Sequence, residues 1–342
     1  MTSGVNITGK PVMSKFYEKL PDGRIRCKLC SHYCTLREGQ TGVCGVNKNE
    51  NGRLVNLVYG KIAAIHIDPI EKKPLYHFLP GTTALSIGTV GCNMQCSFCQ
   101  NWQISQVRKV EEQEYVSPSE LVRLAVKYKA QSIAYTYNEP TIFYPYARDV
   151  ALEAKRFGIK NIFVTNGIET PDVIRDMKGI IDAANVDFKA YDEKYYKREL
   201  KAPFTVRETL KLMKETGLWV EVTTLIIPGI NDAPGHLKKI AGFIAGELGT
   251  ETPWHLSAFH PDYKMLDKPR TPLTTLEQAY EIGRKAGLKF IYIGNVGVKN
   301  TTYCPNCGTP LIERVGYMIL FNKIDGGQCP VCHTKIPGVW KA

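Results

Sequence analysis

From about residue 84 to 298 the chain alternates short apolar runs with helical patterns, and this alternation restricts the possible folds more than any other feature. The strand-like runs are ALSIG (84–88), SIAYTY (132–137), NIFVT (161–165), NVDFKA (185–190), WVEVTTLII (219–227), WHLSAF (254–259) and KFIYIG (289–294). Several are continuous rather than alternating, as in parallel strands covered on both faces. Helix starts lie between them: Ser117-Pro118-Ser119-Glu120, Thr205-Val206-Arg207-Glu208 and Thr274-Thr275-Leu276-Glu277 each fit an S/T-x-x-E capping box. Seven repeated βα units predict an α/β fold, a full or partial (β/α) barrel, with an open doubly wound sheet as the alternative. In either fold the site forms at the C-terminal ends of the strands.

Those ends are polar where a core would be apolar. The second run leads into Tyr137-Asn138-Glu139-Pro140, the third into Thr165-Asn166-Gly167, the fourth into Asp187-Phe188-Lys189 and the sixth into Phe259-His260-Pro261. A single polar residue at such a place is a loop or cap residue. Four successive ones predict a convergent pocket.

The eleven cysteines fall into three clusters. Cys27, Cys30, Cys34 and Cys44 are spaced C-x2-C-x3-C-x9-C, and Cys304, Cys307, Cys329 and Cys332 form two CPxC knuckles with zinc-ribbon spacing. Each outer cluster holds a complete tetrahedral ligand set. The central trio, Cys92, Cys96 and Cys99, follows the first strand and has no fourth cysteine to draw on. Three thiolates on one loop hold three irons of a cubane and leave the fourth open to an arriving molecule. For the C-terminal knuckles, zinc is expected over a rubredoxin-like iron, because zinc closes small folds by itself. The N-terminal set suits zinc or a second iron–sulfur cluster, with His32 as a further candidate ligand.

Composition narrows the function classes. No apolar run approaches 18 residues, and the stretch MTSGVNITGKPVMSK lacks the apolar segment of a secretion signal, so a cytoplasmic protein with no membrane partner is expected. Thiols in a reducing compartment stay free to bind metals. The formal charge of +11 treats cysteines as neutral; two tetrathiolate zinc sites and one thiolate-bound cluster would lower it to roughly +6. The basic residues are scattered over helix faces, which argues against nucleic acid as a partner.

The C-x3-C-x2-C motif with Phe98 before its last cysteine resembles the signature of radical S-adenosylmethionine (SAM) enzymes. The surrounding GCN, FCQNW, TYNEP, TNG, DFKA and IIPGIND pieces are similar to the branch related to pyruvate formate-lyase activating enzyme. Closer still is the radical SAM component of the AmmeMemoRadiSam system, which the chain resembles in CKLCSHYCTLREGQTGVCG, in DPIEKKPLYHFLPG and in a ribbon ending IPGVW. The resemblance implies a [4Fe-4S] cluster on Cys92, Cys96 and Cys99 whose open iron chelates SAM. It implies Phe98 beside the adenine and Glu139 against the SAM ammonium group, although the family's glycines before that acid are here Tyr137 and Asn138. Asn166, Lys189 and His260 match positions near the SAM ribose and carboxylate. It implies reductive cleavage of SAM to a 5′-deoxyadenosyl radical that abstracts hydrogen from a protein or small molecule, an electron donor such as ferredoxin or flavodoxin, and a Memo-like partner.

Three units are therefore expected: residues 1–82 with the N-terminal metal site, a barrel over 83–299, and a zinc ribbon over 300–342. The DPIEKKPLYHFLPG segment, with Asp68, Glu71, Lys72, Lys73 and His77, reads equally as proline-set turns or as an active-site cover. Direct modification of a substrate is the leading functional reading. The alternatives are a glycyl-radical-enzyme activase, a zinc-ribbon nucleic-acid-binding protein and an electron carrier.

Overall fold

The computed structural model describes residues 12–341. All seven expected strands are present, as Thr83–Gly88, Ser132–Tyr135, Lys160–Thr165, Ala183–Asp187, Trp219–Ile226, Trp254–Ala258 and Ile291–Gly294. They pair in sequence order and in parallel, and an eighth strand, Ala64–Pro69, adds antiparallel to the first of them with Asp68 opposite Ala84. Among the described residues no ladder joins Ala64–Pro69 to Ile291–Gly294, so the barrel is partial, with a seam between its two edge strands.

Helices follow the strands and bury their apolar stripes, as Pro118–Lys127 does with Leu121, Val122 and Ala125. Its start is a complete capping box. The Ser117 hydroxyl accepts from the Glu120 amide, and the Glu120 carboxylate accepts from the Ser117 amide, an arrangement that stabilises a helix by about 1 kcal/mol. The other two expected boxes do not form. Thr205 precedes its helix, but its hydroxyl donates to Ser31 Oγ at 3.1 Å. Thr274 lies inside the helix Leu273–Lys285, which starts earlier because Pro272 fixes the entry.

Two small modules pack on the barrel. The N-terminal one has two three-stranded antiparallel sheets, and the C-terminal one has a single sheet of Lys299–Tyr303, Pro310–Val315 and Met318–Asn322. The C-terminal module shares its apolar core with Tyr76, Phe290 and Tyr292, so it is not an independent bead on the chain. It sits at the seam together with the DPIEKKPLYHFLPG segment. The Val339 amide donates to His77 O at 2.8 Å, the Leu79 amide to Val339 O at 2.7 Å, and the His77 ring meets Pro337 O at 2.7 Å and Tyr292 Oη at 2.6 Å. Arg314, fully buried, donates to Tyr76 O at 2.7 Å and to Thr302 Oγ1 at 3.1 Å, and its guanidinium covers the Tyr76 ring at 4.4 Å. Beneath it, the buried Glu221 carboxylate accepts from the amides of Tyr76 and His77 and pairs with His255 at 2.6 Å.

Candidate active site

A cavity of 450 Å³ opens at the C-terminal ends of the strands, and Cys92, Cys96, Phe98, Cys99, Glu139, Asn166 and Lys189 all line it. His260 does not line it. That residue is exposed and sits at the rim, its Nδ1 3.1 Å from Gln100 Nε2.

The cysteine loop is held from both sides. Asn138 donates to Gly91 O at 2.8 Å and to Thr89 Oγ1 at 3.0 Å, and the Gln95 amide donates to Leu200 O at 3.0 Å. Gly91 has φ +89°, and a Cβ there would stand 2.6 Å from Cys44 O, so glycine is required on both counts. The non-glycine residues before Glu139 now have an explanation. Tyr137 itself adopts a left-handed φ of 69°, and its hydroxyl donates to Asp68 Oδ2 at 2.7 Å. The side chain thus offsets the backbone strain by anchoring the wall.

Glu139 is buried and accepts from the amides of Thr141 and Asn166 at 3.0 and 2.9 Å and from Thr165 Oγ1 at 2.9 Å. A second carboxylate, Glu169, which sequence reading did not single out, shares the hydroxyls of Thr141 and Thr165 with it. Burial, then the neighbouring Glu139 charge, push Glu169 up to about 8. Burial raises Glu139 as well, so the two carboxyls titrate as a pair that holds on to a proton above the usual carboxyl range.

Lys189 pairs with Asp187 at 2.7 Å. Burial opposes its ammonium, but Asp187 and the neighbouring Cys96 outweigh this and hold its pKa above the usual lysine value. Asn166 Nδ2 donates to Asn93 Oδ1 at 3.0 Å, whereas Asn166 Oδ1 and Asn93 Nδ2 are buried without a partner. Such orphaned atoms beside three converging thiols suit a bound polar group better than an empty wall.

The segment at 68–81 lines the other half of the cavity with Glu71, Lys72, Lys73, Pro74 and Tyr76, and the ribbon adds Tyr317. The cover reading of that segment is the one the geometry favours. Lys73 is buried against Asp68 at 2.6 Å, and burial, partly offset by Asp68, lowers it to about 8.

The four C-terminal sulfurs all lie within 4.8 Å of one another, the compactness a single metal ion needs. His32 of the N-terminal cluster is otherwise engaged, its Nε2 lying 2.8 Å from Asn93 O.

A partial parallel barrel with a three-cysteine loop at its strand ends defines a class of enzyme, and comparison with known proteins agrees. Residues 86–241 match the family profile of the radical SAM superfamily. The chain is 43% identical over 327 residues to the uncharacterized protein MJ0808 of Methanocaldococcus jannaschii, covering 94% of this chain and 97% of that one. A radical SAM methyltransferase structure from Sphaerobacter thermophilus superposes with a TM-score of 0.50 at 16% identity, covering 64% of this chain and 68% of its own. A domain of pyruvate-formate lyase-activating enzyme from Bacteroides vulgatus aligns at 16% identity with a TM-score of 0.42, over 47% of this chain and 98% of that domain. Residues 86–241 form a domain of the radical SAM superfamily, and the chain is an enzyme of that class. No helix among the described residues is long and apolar enough to cross a membrane.

The carboxylate pair makes a double expectation. On the reading that Glu139 meets the SAM ammonium group, Glu139→Gln is expected to weaken SAM binding in a calorimetric titration by about 1.5–3 kcal/mol, the value of a hydrogen bond to a charged group, because that ammonium would then meet a neutral amide. Glu169→Gln is expected to cost less SAM affinity, since it leaves the Glu139 carboxylate in place. Its effect is on stability. The folded state keeps a proton on Glu169 that the unfolded chain releases near 4.5, so wild-type stability falls as pH rises from there towards about 8. The glutamine variant loses Glu169's share of that slope, while the buried Glu139 keeps its own. Equal SAM affinities for the two variants would refute this division of labour.

Proposed function

We propose that this enzyme cleaves SAM reductively at a [4Fe-4S] cluster held by Cys92, Cys96 and Cys99 and uses the product to abstract hydrogen from a small molecule or a single inserted side chain. The observation that carries the reading is the convergence of three unpaired thiols, Phe98, Glu139 and Asn166 on one cavity, with buried acceptor and donor atoms left over. The cluster, when bound, supplies the electron that breaks the carbon–sulfur bond of SAM to give methionine and a 5′-deoxyadenosyl radical.

The chain's own residues do the rest. Glu139 holds the ammonium end of SAM, Phe98 lies along the adenine, and Asn166 and Lys189 orient the ribose and carboxylate. His260 does not support a contact of that kind, because it stands outside the wall. The seam filled by residues 70–80 and the ribbon excludes water from the side. The same closure favours direct modification over activation of a glycyl-radical partner, because residues 70–80 and the ribbon occupy the side of the cavity by which a loop would enter. An acidic one-electron protein such as ferredoxin or flavodoxin is the expected donor, a Memo-like protein is a candidate partner, and zinc is the expected ion of the ribbon.

Anaerobically reconstituted, reduced protein mixed with SAM is expected to yield 5′-deoxyadenosine and methionine in chromatography with mass detection. Product no higher than in a protein-free control would reject the proposal.

A further inference from the structure

The four N-terminal cysteines belong to a module that touches three of the loops that carry the site. Cys30 bridges to Glu169, the Ser31 amide donates to Ile168 O at 2.8 Å, and the Thr170 amide donates to Leu29 O at 3.2 Å, which fixes the loop after Thr165. His32 meets Asn93 O at 2.8 Å, and Cys44 O presses on Gly91, which fixes the cysteine loop. Asn47 and Asn56 both donate to Ile142 O at 2.8 Å, which fixes the turn after Glu139.

Cys27, Cys30 and Cys44 are buried, Cys34 is half-buried, and none is in a disulfide. Their spacing separates them from the ribbon. A single zinc with bonds of about 2.3 Å draws its four sulfurs to roughly 3.8 Å from one another, and the ribbon sulfurs, all within 4.8 Å, fit that. Among the described residues, no three N-terminal sulfurs and no three sulfurs of the central loop meet the same limit. Thiolates on a cubane sit on different irons, so two iron–sulfur bonds and an iron–iron edge separate them. The N-terminal set thus shares with the cluster-type loop the lack of a compact single-ion trio, and it has the fourth cysteine which that loop lacks.

We propose that Cys27, Cys30, Cys34 and Cys44 hold a second, fully ligated [4Fe-4S] cluster in the module that forms the back wall of the SAM site. With every iron capped by a thiolate it has no open position for SAM, so its place is structural or in electron supply to the first cluster.

The test is elemental analysis of the full chain, reconstituted anaerobically with iron, sulfide and zinc all present. Wild type is expected to hold about eight irons, the Cys92→Ala/Cys96→Ala/Cys99→Ala variant about four, and the Cys30→Ala/Cys44→Ala variant about four, each with about one zinc. About four irons in wild type, none in the triple variant, and a second zinc in both would overturn the inference. Should either variant fail to fold by circular dichroism, the wild-type count and its Mössbauer spectrum decide, since about eight irons in cubane form and about four are opposite answers. Wild-type protein that cleaves SAM with only four irons would remove this inference and leave the proposed function standing.

Discussion

Replacing Cys92, Cys96 and Cys99 together by alanine is expected to reduce 5′-deoxyadenosine formation to the level of a protein-free control while the fold persists. The other eight cysteines stand in two sets of four, in modules outside this loop, so none is placed to substitute. The cost to folding is small by comparison. Each change removes one sulfur and at most a weak sulfur contact, such as that of Cys99 with Ser105 Oγ, and the loop is held mainly by backbone contacts and by Asn138. Circular dichroism and thermal unfolding of the variant check the second half of the expectation, and product analysis checks the first. Product formation above background in a folded triple variant would mean that the reaction does not run through this loop.

Arg314→Ala is expected to destabilise the protein by about 3–5 kcal/mol, the usual loss when one member of a buried charged set is removed. Its guanidinium is fully buried, donates to Tyr76 O and Thr302 Oγ1, and stands 3.8 Å from the buried Glu71 carboxylate. Burial already raises the pKa of Glu71, and Arg314 and the Gly81 amide partly counter it. Alanine would therefore leave a cavity, Tyr76 O without its donor and an acid driven further towards its neutral form. Adding Glu71→Gln to Arg314→Met, which keeps most of the volume, should recover a large part of the loss. Denaturant unfolding of the four proteins in this cycle measures the coupling. A loss below about 1 kcal/mol for Arg314→Ala would show that the seam does not depend on this residue.

The parallel strands were legible in the sequence because both of their faces are covered, so apolar residues follow one another without alternating, as Ile133, Ala134 and Tyr135 do in the fully buried Ser132–Tyr135. Ala64–Pro69 was not legible for the opposite reason. Ile65 and Ile67 point outward and are 39% exposed, so its pattern is that of no buried strand, and only its pairing with Thr83–Gly88 makes it one. The three cysteine groups could be read from spacing alone, since ligand sets are local. Glu169 could not. Its meaning comes from Glu139, thirty positions earlier, through the two threonine hydroxyls that lie between them. The TNGIE stretch offered a weak signal, an acid two residues beyond a loop glycine, with nothing to separate it from a helix-start charge. The segment at 68–81 was undecided in sequence because its partners Tyr137, Glu221, Arg314 and Val339 are all distant along the chain. The misplacing of His260 has a similar cause, since the path of the loop after Phe259 is set by Thr271 Oγ1, which receives the Phe259 amide at 2.8 Å.

The joint between His77 and Pro337 spans 260 positions, and that between Tyr76 and Arg314 spans 238. A ribosome makes the first partner of each long before the second, and domains fold from the N-terminus as the chain emerges. The cysteine loop and the Glu139 turn can therefore assemble on a nascent chain while one side of their chamber still stands open to water. The wall closes only after Arg314, Pro337 and Val339 have emerged and the ribbon has docked. An order of assembly follows from the topology: a truncated or stalled chain has its thiols in place but lacks the shielding under which a radical can be used without damage to the protein itself.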